Sequence, residues 1–168
     1  MMKKTIAIIL AAACLLLAGC ANGVGDNSNG QPSTIDMEKL RTDMLDAAGT
    51  MPEMQTYQSS DEDAEDQFLA ISEDVEYNKV DSYFLVCSAE GEAYEIVVVA
   101  MKDSKDAGKM RSALEKHKKG RISFYSTYAP EQTERAEKAE VLISGKYVAL
   151  IMCDNNSAVR KVFLEGVR

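Results

Sequence analysis

Two runs of the chain, Ile96-Val97-Val98-Val99-Ala100-Met101 and Tyr147-Val148-Ala149-Leu150-Ile151-Met152, are apolar without alternation. Side chains of a strand point to opposite faces in turn, so a strand with one wet face alternates apolar and polar residues. These two do not, and both faces of each must be covered. Any fold for this chain therefore needs a sheet with material above and below it. Each run lies in a hairpin signature. Tyr83–Ser88 leads through Ala89-Glu90-Gly91-Glu92 into the first, and Glu140–Ser144 leads through Gly145-Lys146 into the second. Glycine in such a connection supplies the positive φ that tight turns need.

The rest reads as helix. Asp36 predicts an N-cap, followed by an apolar stripe of Met37, Leu40, Met44, Leu45 and Ala48 and a stop at Gly49. Acidic residues at Asp61–Asp63 open a second short helix. Between the hairpins the spacing predicts a long helix from about Lys105 to Tyr128, closed by Ala129-Pro130 because the residue before proline resists the helical region. A short polar helix over Glu131–Lys138 and a last helix over Ser157–Gly166 complete the order. Met51–Met54 reads as a short extended piece. The expected class is α+β: an antiparallel four-stranded sheet from two hairpins, with a long helix between them and the N- and C-terminal helices packed on the sheet.

The first residues follow a different logic. Lys3 and Lys4 precede an apolar run, which ends in Leu17-Ala18-Gly19-Cys20. Thr5 to Ala18 would make a helix of roughly 21 Å, short of the roughly 20 residues that a hydrocarbon core of about 30 Å requires. The layout is that of a removable export signal, and it resembles the signal peptide of bacterial lipoproteins. In those, cleavage leaves a lipid-modified cysteine as the first mature residue. The resemblance implies a signal peptide over 1–19, a diacylglycerol on Cys20 with a flexible tether over 20–34, and a single α+β domain over 35–168. Two acyl chains anchor stably where one is marginal. Ala21–Ser33 is Gly/Asn/Ser-rich and nearly without apolar residues, so it reaches about 20 Å as a random coil. The expected location is the extracytoplasmic face of the cell membrane, held by lipid.

The formal charge of −8 becomes two units more negative once Lys3 and Lys4 are removed. Such a chain is repelled by phosphate backbones, which argues against nucleic acid as a partner. The lysine-rich stretch Lys116, Lys118, Lys119 and Arg121 is the exception, and is the candidate contact for an anionic partner; a solvated helix face is the plainer reading. Cys87 and Cys153 remain for the fold, either as free thiols or as a disulfide that export permits.

No catalytic pattern stands out. The one histidine, His117, has no carboxylate at helical spacing that would make it a base, and its lysine neighbours make it a surface or boundary residue. The acidic stretch from Asp61 lacks the glycine and the terminal glutamate of a calcium loop, so no metal ligand set is assigned. Phe124, Tyr125 and Tyr128 are expected to pack against the sheet, with stacking on a sugar ring as the alternative. The resulting expectation is a non-enzymatic binding or interaction module at the cell surface. It would meet an unknown protein or envelope polymer and need no cofactor beyond its lipid. The alternative is a cell-envelope hydrolase using paired carboxylates.

Tyr94-Glu95-Ile96 running into Lys102-Asp103, the long helix, Tyr128-Ala129-Pro130-Glu131, and Gly145-Lys146-Tyr147-Val148 occur in an order that resembles the domain of unknown function 4358, found in Gram-positive lipoproteins. The resemblance implies this α+β layout and an arginine in the long helix, for which Arg111 and Arg121 both stand. It implies no activity.

Overall fold

The computed structural model describes residues 35–168. The expected signal peptide, Cys20 and the expected tether lie outside the described residues.

The sheet has five strands, not four, in the order β1-β2-β3-β5-β4, and every neighbouring pair is antiparallel. The strands are β1 (Met54–Gln58), β2 (Val80–Ser88), β3 (Glu95–Met101), β4 (Glu140–Ser144) and β5 (Tyr147–Met152). The strand missed in the sequence is β1, which pairs along β2 from Met54 opposite Ser88 to Gln58 opposite Phe84. Its sequence, Met-Gln-Thr-Tyr-Gln, buries no residue fully. An edge strand of this kind is held by backbone hydrogen bonds and carries no apolar alternation for a sequence to display.

The two unbroken apolar runs are β3 and β5. They pair with each other at the centre of the sheet, and every residue in both is buried. Alternation divides them between two cores. Val97, Val99, Met101, Val148, Leu150 and Met152 face one side. Ile96, Val98, Ala100, Ala149 and Ile151 face the other.

The second face is closed by α1 (Met37–Ala48) and α5 (Asn156–Gly166), which also pack on each other. Asp36 caps α1 by accepting from the Lys39 backbone N–H at 2.9 Å. The first face is covered by α2 (Ala64–Ile71), the 22-residue α3 (Ala107–Tyr128) and the short α4 (Thr133–Glu137). The long helix thus carries the chain across one face, and the second hairpin returns to set β5 beside β3.

Cys87 and Cys153 are free thiols. Of the two readings the sequence leaves open, the disulfide is excluded by topology. Cys87 lies on β2 among the α3-side residues, and Cys153 follows β5 among the α1/α5-side residues. With β3 between their strands they are two strand spacings apart, about 10 Å, beyond the reach of a disulfide, and on opposite faces.

Candidate functional site between the second and third helices

Glu95 opens β3, opposite Cys87 on one neighbour and Met152 on the other. It shares the parity of Val97 and Val99, so it faces α3, and it is only 3% exposed. A lone carboxylate in that position would cost several kcal/mol. The long helix answers it with two residues one turn apart. His117 Nε2 lies 2.7 Å from one carboxylate oxygen, and Arg121 Nε lies 3.3 Å from the other. The Arg121 contact is an ion pair without hydrogen-bond alignment, and that Nε has no hydrogen-bond partner. Another guanidinium nitrogen donates to the Tyr125 hydroxyl, which donates to the Gly91 carbonyl at 3.1 Å. Gly91 has φ +82° in the β2–β3 turn. The chain of contacts therefore runs from the sheet through α3 and back to the hairpin.

Burial pushes the Tyr125 hydroxyl to a higher pKa. Burial, then the charge of Glu95, does the same to the Cys87 thiol. A thiol held protonated is a poor nucleophile, so Cys87 is not set up for covalent catalysis.

Beside this cluster is a recess of about 310 Å³ between the end of α2 and the middle of α3. Ile71, Ser72 and Asp74 line one side, and His117, Gly120 and Arg121 the other. Ser72 is buried, and its hydroxyl has no hydrogen-bond partner. Lys116 reaches across the rim to Asp74 at 2.8 Å. That bond holds the Asp74 carboxyl below its usual range. Gly120 contributes no side chain, and a Cβ built there would meet nothing within 4 Å. Glycine in a helix interior costs about 0.5–1 kcal/mol relative to alanine. No steric contact demands that cost here; its visible consequence is open space.

His117 is a boundary residue: its side chain is 17% exposed and stands on Glu95. The carboxylate that partners it is 22 positions back, on a strand, where a search at helical spacing finds nothing. A sequence signal does exist, in the single charged residue leading the unbroken apolar run of β3. The basic stretch reaches separate partners. Lys116 goes to Asp74, Lys118 to the Ala139 carbonyl and Arg121 to Glu95. Lys119 lies with Arg111 and Ile143 around a shallow depression elsewhere on α3. Of the three aromatic residues, only Tyr125 packs against the sheet. Phe124 and Tyr128 are 47% and 75% exposed. Among the described residues, no group of three His, Cys, Asp or Glu side chains could hold a metal ion, and no helix is long and apolar enough to cross a membrane.

No curated protein and no solved structure matches the chain. A family model does, over residues 54–153, described as a domain of unknown function (DUF4358). The match runs from the first residue of β1 to the residue after β5. It takes in the whole sheet with α2, α3 and α4, and therefore the recess and its charged floor. Because that span is more than half of the sequence, the chain belongs to the DUF4358 family.

Proposed function

We propose that this chain is a membrane-anchored extracytoplasmic lipoprotein that acts as a binding module, with its ligand seated in the recess between α2 and α3. The observation that carries the binding site is the recess itself, lined by Asp74, Lys116, His117 and Arg121 and left open at Gly120. The Ser72 hydroxyl behind its wall is buried without a partner, which costs about 1–3 kcal/mol. The anchoring rests on the basic, apolar, Leu17-Ala18-Gly19-Cys20 order at the start of the chain.

Two of the carboxylates at the recess, Asp74 and Glu95, favour binding over hydrolysis. A general acid needs a raised pKa, whereas Asp74 is held down by Lys116. Glu95 has both oxygens committed to His117 and Arg121.

The test is crosslinking on intact cells with three forms of the protein. The native chain should capture a partner or polymer at the membrane. Gly120→Trp should fill the recess and lose that capture, while its thermal midpoint shows that it is folded. Cys20→Ser should leave the membrane fraction or remain unprocessed. Undiminished capture by a folded Gly120→Trp protein would refute the recess as the site. Normal processing and membrane retention of Cys20→Ser would refute the anchor.

A further inference from the structure

We propose that the recess takes one residue of a neutral carbohydrate chain, and that the chain continues over Phe124 and Tyr128. The proposal rests on the recess being the binding site and adds the class of its occupant.

The first observation is placement. At 100° per residue, Ala113, His117, Gly120 and Phe124 follow one flank of α3, and Tyr128 is one turn further on. The Arg121 guanidinium, which lines the recess, is 5.9 Å from the centre of the Phe124 ring. The Phe124 and Tyr128 rings are 5.1 Å apart, tilted by 41°. Two exposed aromatic rings therefore form a ledge that continues the recess along the same flank of α3. Neither ring is needed in the core, since Tyr125 fills that role.

Charge supplies the second. Lys116 is matched by Asp74 and Arg121 by Glu95, on which His117 also stands. Glu73 adds a further negative charge to the wall. An anion entering the recess meets no uncompensated cation. A neutral ligand loses nothing to that balance.

The third is the mixture of donors and acceptors. Carboxylates at the rim accept, and Lys116 donates. Sugar hydroxyls, which do both, suit such a wall. A pyranose ring also carries an apolar face of C–H groups, which complements the negative face of an aromatic ring. At about 310 Å³ the cavity is at the small end for ligand sites. One sugar unit inside and the next on the ledge would use both features.

The experiment is calorimetric titration of the full chain, solubilised in a detergent without a sugar headgroup. The probes are cellohexaose, maltohexaose, chitohexaose and their monosaccharides. At least one hexasaccharide should bind, more tightly than its monosaccharide and with little dependence on salt. Loss of both rings in Phe124→Ala/Tyr128→Ala should weaken it by about tenfold without moving the thermal midpoint, and Gly120→Trp should abolish it. If no saccharide binds while Gly120→Trp still destroys capture on cells, the carbohydrate class is wrong and the recess stands. Equal affinity for a monosaccharide and its hexamer, or full affinity in the double variant, would remove the ledge from the site. A strong salt dependence would point to an anionic ligand and overturn the neutral class.

Discussion

The two faces of this sheet are drawn from the same strands, one residue out of step, yet they are built differently. On the α1/α5 face, Leu40, Met44, Phe84, Val98 and Phe163 pack with no charged residue among them. That packing is tight enough for Leu40 to crowd the backbone of Gly166 at the end of α5. On the α2/α3 face the apolar core is as deep, but Glu95, His117, Arg121 and Ser72 interrupt it, and Gly120 leaves a recess. Cores gain stability from apolar burial at about 25 cal/mol per Å². Buried ions rarely improve on that. One face is organised for stability; the other gives some of it up around a cavity. The family match covers the interrupted face and leaves out both helices of the closed one.

The largest effect is expected at Val98. Its side chain is fully buried in the closed face, so Val98→Asp places an unpaired charge where none can be matched. The expected loss is several kcal/mol, comparable with the whole stability of such a domain. Circular dichroism should show no cooperative melt, and a folded Val98→Asp protein would show that this face is not sealed.

Glu95→Ala should cost about 3 kcal/mol, less than Val98→Asp, because Arg121 keeps some contact with solvent. Chemical denaturation measures it. A loss below about 1 kcal/mol would show a surface-like ion pair and erase the distinction between the faces.

The two glycines sharpen the contrast by sign. Gly120→Ala adds a methyl in open space and should stabilise α3 by about 0.5–1 kcal/mol. In Gly166→Ala the new Cβ comes within 2.6 Å of Leu40 Cδ1. Since Leu40 is itself buried, overpacking should destabilise by about 1 kcal/mol. The same sign for both variants would remove the difference in packing.

The smallest effect is expected at the surface, away from the recess, at Asp154. Asp154 accepts from Arg135 Nε at 2.7 Å and from the Tyr94 hydroxyl at 2.7 Å. Those bonds, Arg135 first, hold its carboxyl below the usual range. A depressed carboxyl contributes stability above its unfolded pKa and loses it as pH falls through the folded value. Because the side chain is mostly exposed, Asp154→Asn should cost under about 1 kcal/mol at neutral pH and nothing in strong acid. A pH series of denaturation midpoints would reveal any larger dependence.

What the sequence disclosed follows the same division. The central strands and both hairpins are legible because a two-faced strand needs an unbroken apolar run, and the turn glycines mark its ends. The edge strand β1 is silent because its partners are backbone groups. The floor of the site is hidden by distance along the chain. Glu95 meets His117 only after α3 folds back over β3, and no local period links a strand residue to a helix residue. The aromatic residues show the same limit at close range. Phe124 and Tyr125 are adjacent, and the 100° between them puts one in solvent and the other in the core. The cysteines required knowledge of the face on which each strand places its side chains, which only the assembled sheet supplies.

If the recess binds a ligand as proposed, the charged cluster beneath it serves binding and not stability. Replacing it as a unit separates the two. Glu95→Leu, His117→Leu and Arg121→Met, made together, remove the buried charges while keeping the volume. The thermal midpoint and the crosslinked capture on intact cells are then read on the same protein. The expected result is stability unchanged or raised by about 1–4 kcal/mol, with capture lost. A triple variant that captures as well as the native chain would contradict the claim.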